Sequence, residues 1–402
     1  MMKIMVERSI SNYLNPMGLK DPYHLFFRYG WLMGLLFLLV WPLHIAEVLE
    51  TYPGFFHAHG IISLFLGSFI VGFLLTALPR FTGSAAAGPV WIRTQFTMAV
   101  IELALLLSGE YGHAAMITSL RFLTLAMFAV SRIRKAQIPP PPSFAWVGLG
   151  LVSVIIGAFG SSLAEWGVGN DSWFPFYKAL FQRAFPIALF IGVGGRLVPI
   201  LSGVRDNAVL QITLKPSKSY RALFAPHAAL ALLFLVGLYL ETVASGRFEQ
   251  TGLVFQALSL FAELAFFWDL YKMPEKHARA FGVWASAWSI FLGIAAAAVY
   301  PAYKVHLLHL TFAIGLFGGT LVIASHVIVS HERKPQLLLA KFFPLGLVWS
   351  LVLLAGLTRA TAPIASYSRH LSYAALSGGI ALGLWAWMYF KTQKQNSEAP
   401  PH

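Results

Sequence analysis

Residues 56–79 read FHAHGIISLFLGSFIVGFLLTALP, and residues 304–324 read KVHLLHLTFAIGLFGGTLVIA. Each stretch is long enough to cross a bilayer, whose hydrocarbon core takes about 20 apolar residues in a helix. Each opens with a histidine pair: His57 and His59 in the first, His306 and His309 in the second. Ionisable groups at the edge of a hydrocarbon slab are costly and by default mark function. Imidazole is a good ligand for iron, copper and zinc. If both pairs lie at one membrane face, four imidazoles converge near one plane.

The rest of the chain fits this setting. Of its 402 residues 57% are hydrophobic and 11% are charged, against about 25% charged in an ordinary soluble domain. The formal charge of +13 comes from Lys and Arg spread over short loops between apolar runs, a topology signal rather than a basic helix or platform for nucleic acid. With no cysteine, disulfides, thiolate metal sites and iron–sulfur clusters are excluded. The first residues are polar, with no apolar core followed by a small-residue cleavage site, so no cleaved signal peptide is expected.

Twelve apolar runs predict an all-α integral membrane protein, with spans near 26–46, 56–79, 90–108, 113–131, 144–165, 176–201, 222–243, 252–271, 280–300, 304–330, 341–359 and 369–390. Residues 1–25 are read as an N-terminal segment, 26–390 as one membrane domain and 391–402 as a disordered tail. Twenty Lys and Arg fall in one set of alternate loops and five in the other. The positive-inside rule then makes both termini cytoplasmic and turns the histidine-bearing loops outward. That outer layer also holds His44, His113 and His370, while His24, His227, His277, His326 and His331 belong to the inner layer.

Spacing separates the two pairs. His306 and His309 are three apart and share a helix face. His57 and His59 are two apart and diverge, so only one can point at a given centre unless the preceding turn TYPGFFHAHG is unwound. A four-imidazole site would hold copper or zinc, whereas two imidazoles from separate helices would hold a haem axially; the spacing leaves both open. No repeat relates residues 1–200 to 201–402.

The stretch 56–83 resembles the signature of the NnrS family: a His-x-His, a glycine-bearing span, then GFLLTA-x-P and Thr-Gly. GVGGRLVPILSG at 192–203 is similar to that family's Gly-Gly-Arg-x-x-Pro, and the run from His306 to HVIVSHE resembles its histidine-rich tenth span. The resemblance covers essentially the whole chain. It implies a haem- and copper-containing protein of the bacterial inner membrane, linked to nitric oxide metabolism, nitrosative-stress tolerance and denitrification. Its partners would be membrane lipid, a small ligand such as nitric oxide, and a respiratory-chain or denitrification protein. By position, His57 and His59 match the His-x-His, His306 or His309 matches the tenth-span histidine, His331 closes that span and Arg196 matches the Gly-Gly-Arg. With His44 these make the candidate metal ligands, and Arg196 and Arg80 the candidate cofactor contacts. Relatives commonly carry Glu where this chain has Gly60, so His59 is expected to lack a carboxylate partner. A looser resemblance in layout, to the catalytic subunit of haem–copper oxidases, stops short of that subunit's histidines on spans six and seven. That weighs against a binuclear oxygen-reducing centre.

Arg121, Arg183 and Arg196 lie inside apolar runs, where a guanidinium is normally paired. Glu102 and Glu263 are the main acids available, and Glu263 is also a candidate for a proton path. For Arg196 the alternatives are a haem propionate or snorkelling to the interface, and Arg183 is read as reaching the interface. Gly315, Gly318 and Gly319 either admit close helix packing or make room for a macrocycle. The competing functions are a transporter or metal-ion permease using the histidine cluster, and an assembly factor for a respiratory complex.

Overall fold

The computed structural model describes residues 21–205, 220–244, 246–331, 343–364 and 366–397. Inside hydrocarbon a backbone must satisfy its own N–H and C=O groups, which leaves an apolar segment the helix. Among the described residues twelve helices do so: α1 Pro22–Ile45, α2 Gly54–Thr82, α3 Pro89–Leu107, α4 Tyr111–Arg134, α5 Phe144–Glu165, α6 Asp171–Leu201, α7 Tyr220–Thr242, α8 Phe248–Phe267, α9 Ala278–Val299, α10 Pro301–His331, α11 Phe343–Ala360 and α12 Tyr367–Ser397. Eleven are long and apolar enough to cross a membrane, and α11 is a shorter apolar helix. The protein is a multi-pass, all-α membrane bundle. Two boundaries differ from expectation. Helix α1 starts at Pro22, inside the expected N-terminal segment, and α12 continues to Ser397, into the expected disordered tail.

The helices fall into three quartets. In each, the first helix packs on the second (α1 on α2, α5 on α6, α9 on α10) and the third on the fourth (α3 on α4, α7 on α8, α11 on α12). The fourth then packs on the first of the next quartet, and α12 on α1 closes the ring. The second helix of each quartet lies innermost: 89% of the apolar window of α2 and 78% of those of α6 and α10 are buried, against at most 56% in any other long span. A comparison of chain halves misses this arrangement because its unit is a third of the chain.

All three inner helices open the same way. Short α-helical turns, Gly54–His59, Phe174–Ala179 and Lys304–His309, run directly into wider π-helical segments, Gly60–Leu66, Leu180–Ala184 and Leu310–Gly318. A further π segment, Glu263–Phe267, ends α8. Single π-turns inside α-helices are frequently found at functional sites. Gly315 lies against Ile290, Gly318 against Val352 and Gly319 against Phe190, so these glycines serve helix packing.

Candidate functional site

The turn before the His-x-His is helical, so His57 and His59 leave opposite faces of α2. His57 turns to α1, where its Nδ1–H donates to the Phe37 carbonyl at 2.7 Å and its ring meets Trp41 edge-on at 5.6 Å. On α10, the Nδ1–H of His309 donates to the Val305 carbonyl at 2.7 Å. A carbonyl oxygen only accepts, so in both neutral rings the proton sits on Nδ1 and the lone pair on Nε2. Neither Nε2 has a hydrogen-bond partner among the described residues, and both rings are half-buried. The two imidazoles, together with Arg359 of α11, lie within Coulombic range of one another.

His306 differs in kind from His309. Arg359 Nη1 lies 2.5 Å from His306 Nδ1; a guanidinium only donates, so this Nδ1 holds a lone pair and Nε2 keeps the proton. Of the His306/His309 pair, His309 alone presents a bare Nε2. Arg359 is buried and stands near the Tyr367 ring at 6.0 Å, with no carboxylate within ion-pair distance among the described residues. In the sequence it sits at the end of an apolar run, where a positive charge reads as interfacial. His44 lies at this same end of the bundle, its Nδ1–H on the Leu49 carbonyl at 2.9 Å and its ring edge-on to Tyr52 at 6.0 Å.

His59 belongs to a different environment. Fully buried, it directs Nε2 to Glu102 Oε1 of α3 at 3.2 Å and to Thr118 Oγ1 of α4 at 3.1 Å. Glu102 Oε2 in turn lies 3.0 Å from Arg121 Nη1, and Arg121 Nη2 donates to the Ser63 carbonyl at 2.6 Å. The expectation that His59 lacks a carboxylate partner is therefore corrected. The acid comes from α3 instead of the next position in the chain, and it holds His59 away from His57.

Each quartet repeats this device, joining its second helix to its third through a buried or half-buried polar contact: His59 with Glu102, Arg183 with Glu241, His306 with Arg359. Arg183 does not reach the interface. It forks onto Glu241 at 2.9 and 2.5 Å, and Glu241 also takes Gln256 Nε2 at 2.8 Å and Lys304 Nζ at 3.3 Å. Glu241 escaped the sequence reading because it sits at the very end of α7. Among the described residues Glu263 pairs with no arginine; it accepts from His227 Nδ1 at 2.7 Å, Trp268 Nε1 at 3.1 Å and Trp146 Nε1 at 3.0 Å.

Three of the candidate residues, His331, Arg80 and Arg196, lie at the opposite end of the bundle, where the loop charges already put His331. His331 closes α10 twenty-two residues after His309, roughly 30 Å along a helix that rises about 1.5 Å per residue. Its Nδ1–H donates to the Val327 carbonyl at 2.7 Å, its Nε2 is buried without a partner among the described residues, and its ring lies 5.0 Å from Tyr23. Arg80 pairs with Asp21 at 3.3 Å, and the Arg196 guanidinium covers the Phe81 ring at 4.6 Å. The glycines before Arg196 have a packing reason: a β-carbon at Gly194 would stand 2.6 Å from Trp268, and one at Gly195 would stand 2.6 Å from Ser143. These residues cannot share one centre with His57 and His309. Among the described residues, moreover, no three His, Asp or Glu side chains gather as a metal site.

No curated protein matches the chain. A model of the family described as NnrS protein matches residues 19–393, which takes in all three quartets and the His-x-His, Gly-Gly-Arg and tenth-span motifs, and the chain belongs to the NnrS family.

Proposed function

We propose that this protein binds one haem between His57 of α2 and His309 of α10 and uses it to handle nitric oxide or a related metal–nitrosyl species. The observation that supports the reading is the matched pair of bare Nε2 atoms, each fixed by an Nδ1–H bond to a backbone carbonyl. Such bonds set the tautomer and orientation of ligand imidazoles, and two imidazoles from separate helices would together hold a haem iron. Arg359, buried on His306 within Coulombic range of both rings and with no acid partner among the described residues, suits a propionate carboxylate, which a guanidinium grips in a bidentate fork. His306 holds that guanidinium in place and stays out of the ligand set. Bound there, the iron would supply electron exchange, and a nitrosyl ligand would bind it in place of one of the two imidazoles. The chain orients the two rings, and Trp41 packs against the outside of His57.

Copper fits the described residues less well, since no three-ligand set is present among them; the proposal is confined to haem. Transport is also less well supported, because the histidines stand at one end of the bundle while transporters bind near the midplane. The basic asymmetry between loops argues that the His57 end faces outward from a bacterial inner membrane, with both termini cytoplasmic. The test is the optical spectrum of the purified protein and three variants. His57→Ala and His309→Ala are expected to lose the low-spin Soret band while still inserting, and His306→Ala to keep it. A colourless wild-type protein, or both ligand variants retaining full haem, would defeat the reading.

A further inference from the structure

Where α2, α6 and α10 meet lies an apolar cavity of about 60 Å³. Three stripes at helical spacing line it: residues 66–74 of α2, 186–193 of α6 and 316–324 of α10, with Phe27 of α1 at one side. The π segments of α2, α6 and α10 end at Leu66, Ala184 and Gly318, at or close to the start of these stripes. A π-turn bonds i to i+5 and so adds a residue to the ordinary turn, and the cavity lies where these segments end.

The lining decides what the cavity can take. Thr320 contributes the one side-chain hydroxyl among the lining residues. A buried water needs two to four polar partners, and a cavity without them stays dry or takes apolar guests such as xenon. The space exceeds the roughly 10–15 Å³ that one water-sized sphere occupies, yet a porphyrin or a quinone ring does not fit. No lining side chain is charged and none can ligate a metal. The occupant that satisfies these limits is an uncharged molecule of a few heavy atoms that dissolves in hydrocarbon.

We propose that this cavity is a binding chamber for a small apolar gas, filled from the bilayer. Under the function proposed above, on which the identity of the gas rests, that gas is nitric oxide. The nearer edge of the chamber, at Leu66 and Leu316, is nine residues from His57 and seven from His309 along their helices, or roughly 10–14 Å at about 1.5 Å per residue. A ligand held there is concentrated close to the imidazole pair and shielded from water. Its size and lack of polarity match what crosses a bilayer without a pore.

Xenon is the probe. The full-length protein in nanodiscs is exposed to hyperpolarised xenon and its exchange spectrum recorded for wild type and for two filling variants, Ala324→Phe and Thr320→Phe. Saturable binding in wild type that is lost in either folded variant is the expected result. Wild-type protein that takes up no xenon, as when a lipid tail occupies the chamber, overturns the proposal, and so does binding unchanged in both variants. Should neither variant fold, the wild-type uptake still decides. Xenon binding in a protein that carries no haem would leave the chamber standing and remove nitric oxide as its ligand. In haem-loaded protein, the filling variants are expected to slow rebinding of nitric oxide after flash photolysis several-fold with the Soret band unchanged.

Discussion

His59 Nε2 lies 3.2 Å from Glu102 Oε1, a carboxylate brought from another helix and fully buried with its histidine. Gly60, where the family resemblance leads one to expect an acid, therefore leaves no gap to repair. A β-carbon at Gly60 would come within 2.2 Å of the Phe37 ring, and Phe37 is the residue whose carbonyl holds His57. Gly60→Glu is expected to lower the thermal unfolding midpoint and weaken haem retention, because it pushes Phe37 off the His57 Nδ1–H. A titration of haem into the detergent-solubilised variant that shows equal or tighter binding would contradict this.

Breaking the ion pair behind His59 carries a larger penalty. Arg121 and Glu102 are both removed from solvent, and truncating one partner of such a pair leaves an uncompensated charge, a loss of about 3–5 kcal/mol. Glu102→Ala is expected to destabilise the protein by this order, and adding Arg121→Met to recover part of it. Unfolding followed by circular dichroism in detergent checks both. A double variant no better than the single one would mean that the hydrogen bonds of Arg121 to Ser63, rather than its charge, carry the energy.

The twelve spans are readable in the sequence because hydrocarbon forces a single answer on any apolar run of sufficient length. The divergence of His57 and His59 follows as directly from helical geometry. What spacing does not reveal is which neighbour each histidine faces. Glu102 lies forty-three residues beyond His59, and only the packing of α3 on α2 makes them partners. The threefold arrangement is hidden for a related reason. The last residues of the three short turns are His59, Ala179 and His309, so equivalent positions share backbone form without sharing chemistry. Arg359 was concealed by its place near a helix end, where positive charge is ordinarily interfacial.

Arg359 tests the anion side of the proposed site. Its replacement by Gln keeps a donor for His306 Nδ1 and removes the charge. Partners that act on a bound metal group typically tune affinity 10–100-fold, and a loss in this range is expected for haem in Arg359→Gln, with partial recovery in Arg359→Lys. Equal haem affinity across the three proteins would assign Arg359 to the structural link between α10 and α11 alone.

Orientation is open to direct measurement. Reporter fusions after residue 137, between α4 and α5, and at the C-terminus are both expected to read cytoplasmic, as the excess of Lys and Arg in those loops demands. An external signal from either fusion would place the imidazole pair on the cytoplasmic side and reverse the direction from which an electron donor approaches.

His331 separates one centre from two. It repeats the local geometry of His309, with Nδ1–H on the carbonyl four residues back and, among the described residues, an Nε2 without a partner. Yet it stands at the other end of α10, beside Tyr23 of α1. A histidine roughly 30 Å from His309 cannot ligate the same iron, so His331→Ala is expected to leave the Soret band and haem content at wild-type values. The same purification that assays His309→Ala provides the comparison. A fall in haem content to about half in His331→Ala, with His309→Ala losing the other half, would require a second haem at the Tyr23 end. A complete loss in His331→Ala alone would move the proposed haem to that end and leave His57 and His309 without a metal.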